Sequence, residues 1–174
     1  RLDLNQTEPM FERVVTMASY IRSHAFFRPA LFLDIDAFLI RPVSDLFNSS
    51  FDIGLTHRHI VGQMPINEGV IFANIINKDN VRKFFDSYLA SYLAAEQSEA
   101  VARIYQNIRR WRGGQLAINA AAGGTQFYST SLNTTEYGTN IAFLPCSKYN
   151  LSQISEGEVT KDLRNRCCIL HLKG

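Results

Sequence analysis

Cysteine is scarce: Cys146, Cys167 and Cys168 are the only three in 174 residues, and they form neither a C-x-x-C pair nor an even-numbered set. That pattern excludes a disulfide scaffold and a cysteine-ligated zinc site, and leaves free core thiols as the expectation. Long hydrophobic runs are missing too: none reaches the roughly 18 to 20 residues that a membrane-spanning helix needs, and the N-terminus lacks the basic-then-apolar order of a signal peptide. An excess of one charge sign is absent, since 18 Lys and Arg stand against 16 Asp and Glu, a formal +2. So even a balance does not favour nucleic acid or an anionic membrane as partner, although a small anionic ligand stays open.

What is present describes a folding chain. With 46% hydrophobic and 11% aromatic residues, it has the composition of one ordinary globular domain, residues 1–174, with neither repeats nor a linker. The first residue is Arg1 rather than Met, which reads as a processed or partial version of something longer. Sequons of the form N-x-S/T begin at Asn5, Asn48, Asn133 and Asn150. A sequon is an acceptor only in a secretory lumen, so a cytoplasmic or membrane-peripheral location is the expectation and the lumen stays open.

Apolar residues at three-and-four spacing from Glu8 to His24 predict an amphipathic helix with Thr7, Glu8 and Pro9 at its start. The unalternating run Ala30-Leu31-Phe32-Leu33 predicts an interior strand covered on both faces. Further strands are expected at Phe51 to Thr56, Gly69 to Ile75, Ile141 to Leu144 and Cys168 to Leu172, with a helical turn at Ser44 to Phe47 and Tyr128 in a strand or turn. A long helix should start near Asp79, break near Gln97-Ser98 and resume to Ile108. A short Ala-rich helix opening at Gly113 should stop at Gly123-Gly124, and Ser147 to Arg166 reads as a loop. Strands separated by helices predict an α/β layered fold with a mostly parallel central sheet.

The chemistry concentrates at Leu31 to Leu39, LFLDIDAFL. Asp34 and Asp36 lie two residues apart at the carboxyl end of the apolar strand, so both emerge on one side at the edge where open α/β sheets bind ligands. Two carboxylates this close repel unless a cation lies between them, and a divalent ion with hard oxygen ligands is the natural occupant. The competing reading is a pair of turn-capping aspartates. Haloacid-dehalogenase-like phosphatases also place D-x-D after an apolar strand, but Ala37-Phe38 replaces the usual following Gly-Thr and no later Asp-Asp pair completes a magnesium site.

A second family matches at more points. LFLDIDAFLIRPV (Leu31 to Val43), Pro65-Ile66-Asn67-Glu68-Gly69-Val70-Ile71-Phe72, Gly113-Gly114-Gln115-Leu116-Ala117-Ile118-Asn119 and Ile169-Leu170-His171-Leu172-Lys173-Gly174 resemble, in order and spacing, four motifs of nucleotide-sugar glycosyltransferases with the GT-A fold, of the glycogenin-like and lipopolysaccharide-galactosyltransferase-like kind. The resemblance implies a Rossmann-like three-layer domain lacking part of the N-terminal nucleotide-binding half. It implies transfer of a hexose from a nucleotide-diphosphate donor, a UDP-sugar, to a glycan, lipid or protein acceptor, with no nucleic-acid partner. A non-catalytic sugar- or nucleotide-binding descendant is the alternative.

Residue by residue, the resemblance implies Asp34, Asp36 and His171 as ligands of Mn2+ or Mg2+, the imidazole favouring manganese over calcium. It places Gln115 near the anomeric carbon, and Asn67, Gly69, Asn119, Lys173 and Arg13 at donor or acceptor, with a solvent-facing arginine the stronger reading of Arg13. The glycogenin-like motifs imply retention of configuration; an inverting reaction would need a carboxylate base, for which Glu68 is the candidate. Gly114 departs from the family's Asp. His57, Arg58 and His59 read as a solvated basic loop, and Trp111 among Arg109, Arg110 and Arg112 as a sugar platform or a helix-end anchor.

Overall fold

Val14, Met17, Ala18 and Ile21 form the buried stripe of helix α1 (Pro9–Arg22), and Val81, Phe84, Phe85, Tyr88 and Tyr92 that of α2 (Lys78–Gln97). Asn77 caps α2, its side chain accepting from the Asn80 amide. These intervals are the helical period expressed as burial. Helix α3 (Gly113–Ala121) follows, and Gly123 and Gly124 stop it with φ of 94° and 74°, the left-handed backbone that glycine adopts without cost. The strands are β1 (Ala30–Leu33), β2 (Ala37–Leu39), β3 (Ile53–His57), β4 (Ile66–Ala73), β5 (Leu132–Thr134), β6 (Asn140–Pro145) and β7 (Ile169–His171). A 3-10 helix covers Ser44–Asn48, and α4 is the single turn Cys146–Tyr149. The computed structural model describes residues 9–58, 65–99, 113–124, 132–152 and 165–172. The expected cap at Thr7, the resumed helix to Ile108, the Trp111 cluster, Tyr128, His59 and Lys173 lie outside these.

Five strands form one sheet in the order β1-β4-β3-β6-β5, and β2 pairs with β7 in a separate ribbon. Alternation along each strand divides two cores. Phe32, Ile53, Leu55, Ile141 and Phe143 pack beneath the helices, whereas Leu31, Leu33, Ala142 and Leu144 pack with Val70, Phe72, Tyr149 and Ile169 on the other face. The sheet is thus the middle of three layers, covered on one side by α1, α2 and α3 and on the other by the β2–β7 ribbon, α4 and the 3-10 helix.

The expected mixture of helices and strands is present; the expected mostly parallel sheet is not. Within the sheet only β3 and β6 run parallel, whereas β1–β4, β3–β4 and β5–β6 are antiparallel. A strand covered on both faces carries an unbroken apolar run whichever way its neighbour points, so the run in β1 is silent about direction. The short link from His57 to Pro65 does carry that information, because a parallel crossover needs a dozen or more residues. Strand β1 is covered on both faces as expected, but it is the terminal strand of the described sheet, and its residues are only half-buried.

One irregularity matters for the site. Along β3 the pairing jumps from Leu55↔Ile71 to Thr56↔Asn67, so that residues 68 to 70 of β4 bulge out of register. A bulge re-aims side chains. Ile66 and Ile71 therefore reach the same helix-side core despite their odd spacing, and the bulge itself carries Glu68 and Gly69.

Candidate metal centre

Asp34 leaves the end of β1, its amide bonded to the carbonyl of Gly69 at 2.9 Å, and Asp36 directly precedes β2. Strand β2 pairs antiparallel with β7 in the register Ala37↔His171, and the amide of Leu172 bonds the Asp36 carbonyl. This ribbon delivers a histidine from the far end of the sequence to the aspartate pair. His171 Nε2 lies 2.9 Å from Asp36 Oδ1 and 3.7 Å from Asp34 Oδ2. One donor atom from each of the three residues falls within 4.8 Å of the others, a little more than the about 4.0–4.4 Å between opposite ligands about 2.0–2.2 Å from one small cation. Two carboxylate oxygens and an imidazole nitrogen form a donor set that could hold a divalent cation.

Gly69 makes this approach sterically feasible. A Cβ there would lie 2.5 Å from His171 Cε1 and 2.7 Å from Asp34 Oδ2, so only glycine lets β4 pass beneath the cluster. The preceding Asn67 is buried and turns the chain by accepting the Gly69 amide on its Oδ1 at 3.0 Å. Its Nδ2 has no hydrogen-bond partner among the described residues.

Arg13 faces the site rather than solvent, contrary to the expectation for it. Its guanidinium lies 3.1 Å from Asp34 Oδ1 and 3.6 Å from Glu68 Oε2, and donates to the Glu68 carbonyl at 2.6 Å. Two carboxylates and a carbonyl leave one oxygen of Asp34 held by Arg13 and the other turned to His171. The periodicity of α1 places Arg13 beside buried Val14, but only the packing of α1 on β4 identifies its partners.

Glu68 is buried, and the Tyr88 hydroxyl donates to its Oε2 at 2.6 Å. Helix α3 begins against it, since a Cβ on Gly114 would fall 1.9 Å from the same oxygen. The Glu68 side chain thus occupies the space into which any larger residue at 114 would project. Burial pushes the Glu68 carboxyl above its ordinary value of 4.5, opposed by Arg13 and the Tyr88 hydrogen bond and reinforced by Asp34. Burial, with the Glu68 charge adding to it, drives the Tyr88 hydroxyl well up. A carboxyl whose folded pKa is raised contributes stability that is complete below its unfolded pKa and is lost as pH rises through the folded one. Glu68→Gln retains an acceptor for Tyr88 and cannot ionise. Its stability relative to wild type should therefore rise between acid and neutral pH, read as the difference in urea midpoints; a difference that does not change with pH contradicts this.

Gln115 and Asn119 lie on α3, with Asn119 buried and its Nδ2 donating to the Gln115 carbonyl at 2.7 Å. Asn119 Oδ1 has no partner among the described residues. His57, expected in a solvated loop, instead ends β3 buried against the ring of Phe143, because β3 runs farther than its apolar residues indicate. Sequence reasoning missed two residues. Asn150 Oδ1 sits 2.9 Å from His171 Nδ1, and Asn150 Nδ2 donates to Thr56 Oγ1 at 2.8 Å. Both are fully buried, so the sequon at Asn150 is not an acceptor in the folded chain. Ser147 to Tyr149, expected as the start of a loop, instead belong to the turn α4, and Asn150 directly follows it; a polar residue in a stretch read as a loop carries no local signal of burial.

No family model matches this chain, nor does any curated protein. Among solved structures, the chain is similar to a glycosyltransferase involved in the glycosylation of the major capsid of PBCV-1, with a TM-score of 0.55 and 13% identity over 100% of this chain and 76% of that one. No described helix is long and apolar enough to cross a membrane. The chain shares the fold of that glycosyltransferase, and this three-layer arrangement carries Asp34, Asp36 and His171.

Proposed function

We propose that this chain is a metal-dependent glycosyltransferase domain that moves a hexose from a nucleotide-diphosphate sugar, a UDP-sugar, to a glycan, lipid or protein acceptor. The observation that carries the reading is the convergence of Asp34, Asp36 and His171 from two distant segments onto one point in a chain with a glycosyltransferase fold. These three residues would hold Mn2+ or Mg2+, whose charge, when bound, offsets that which accumulates on a diphosphate leaving group.

The chain's own residues do the rest. Arg13 holds one oxygen of Asp34, which leaves the other turned toward His171. Asn67 and Asn119 each keep a polar atom without a partner among the described residues, a donor and an acceptor suited to sugar hydroxyls. Gln115, at the start of α3, takes the place beside the anomeric carbon, and Lys173 follows β7 as a cation for the diphosphate. In this reading configuration is retained, and the burial of Glu68 under Tyr88 and Gly114 supports that choice over an inverting base open to an acceptor.

The test is calorimetric titration of UDP into the chain with and without Mn2+. Binding that requires the metal is the expected result. Absence of binding in both conditions leaves two readings, a donor site that needs the rest of the nucleotide-binding half or a non-catalytic descendant of the fold, and titration of a longer parent chain separates them.

A further inference from the structure

His171 is tied at its other nitrogen into a chain of hydrogen bonds that has one consistent direction. The carbonyl of Asn67 can only accept, so the Thr56 hydroxyl, 2.9 Å away, donates to it. Thr56 Oγ1 then has lone pairs alone to offer Asn150, whose Nδ2 donates at 2.8 Å. That orients the Asn150 amide with Oδ1 toward His171 Nδ1 at 2.9 Å. An amide oxygen cannot donate, so Nδ1 must carry a hydrogen. All four residues are buried, Thr56 and Asn150 fully so.

The consequence lies on the opposite side of the ring. With the hydrogen held at Nδ1, the lone pair of a neutral His171 is at Nε2, the atom 2.9 Å from Asp36 and 3.7 Å from Asp34. A lone pair facing two carboxylates is repulsive, and a positive charge between them, a proton on Nε2 or a metal ion, relieves that repulsion. We propose that Asn150 and Thr56 are positioning residues: anchored on the Asn67 carbonyl, they fix the hydrogen of His171 at Nδ1 and present Nε2 as a ligand to a divalent cation held by Asp34 and Asp36. This rests on the metal reading of the site given above. It also links β3, β4, the segment after α4 and β7 in one relay, and β4, which places Gly69 under the cluster, supplies the anchoring carbonyl from Asn67, the residue just before its bulge.

Nuclear magnetic resonance of the chain carrying 15N-labelled histidine tests it, with the His171 signals identified by their loss in His171→Gln. A hydrogen-bearing Nδ1 is expected at neutral pH, without metal and with Zn2+ added as a diamagnetic probe. Asn150→Leu should lose that signature and weaken Mn2+ binding about 10- to 100-fold, read by electron paramagnetic resonance of the free ion. Thr56→Val, which removes only the hydroxyl, should lower affinity in the same direction by less, and provides the second test should Asn150→Leu fail to fold. A bare Nδ1 in the wild-type protein overturns the proposal without recourse to any variant. So does a folded Asn150→Leu with wild-type tautomer and affinity. Absence of Mn2+ and Zn2+ binding with Nδ1 still protonated removes the metal reading and upholds the hold of Asn150 on the ring.

Discussion

Asp36→Asn should lose metal-dependent binding of UDP while remaining folded. Its Oδ1 is the oxygen closest to His171 Nε2, at 2.9 Å, and the substitution replaces a charged ligand with a neutral amide in a set of three. Truncating one member of a close charged constellation costs about 2–5 kcal/mol, or roughly 30-fold to several thousand-fold in affinity. Asp36 is partly exposed, 45% at the side chain, which argues against a large loss of fold stability from the same change. Calorimetry with Mn2+ present and thermal unfolding without it separate the two effects. Unchanged UDP affinity in the presence of Mn2+ removes the core of the functional proposal, whereas collapse of the fold would assign Asp36 a structural role instead.

Gly114→Asp should destabilise the fold through one neighbour, the Glu68 side chain. The added Cβ falls 1.9 Å from Glu68 Oε2 and 2.6 Å from its carboxyl carbon, and the new carboxylate brings a second negative charge to a buried position. Overpacking and an unpaired buried charge together predict a loss of about 3–5 kcal/mol. At about 2–4 °C per kcal/mol for a chain of this size, that is roughly 6–20 °C in Tm. Glu68→Ala in the same chain clears the space, so the double variant should recover a large part of the loss, a coupling of about 2 kcal/mol or more. Additive losses would show that Glu68 and Gly114 do not share that space. The resemblance to GT-A glycosyltransferases implies an Asp at this position; here the Glu68 carboxylate is already in the space beside Gly114. The departure is therefore sterically matched to another residue rather than an isolated deletion of a side chain.

The helices were legible because burial follows a period that sequence displays directly: Val81, Phe84, Phe85, Tyr88 and Tyr92 are apolar at helical intervals and are the buried residues of α2. Leu93, expected on the same side, is 38% exposed. The glycine stop after α3 was legible for a local reason, the positive φ of Gly123 and Gly124. Strand direction was not, because β1 presents the same apolar run to a parallel or an antiparallel neighbour. Nor was β2, three residues whose pairing with β7 depends on a segment at the other end of the chain.

The sequence by itself determined which residue types were available for chemistry and where the aspartate pair would emerge: two carboxylates after an apolar strand must appear together at a strand end, whatever the remainder of the chain does. It also determined the mixed α/β class, since hydrophobic periodicity is local. Only the tertiary structure decided that His171 would stand 2.9 Å from Asp36, that Arg13 would turn inward to Asp34, and that Asn150 and Thr56 would lie behind the imidazole. Those contacts join segments far apart in the chain, through a three-residue ribbon and a bulge in β4. Their geometry is set by packing between elements, which no local pattern of residues encodes.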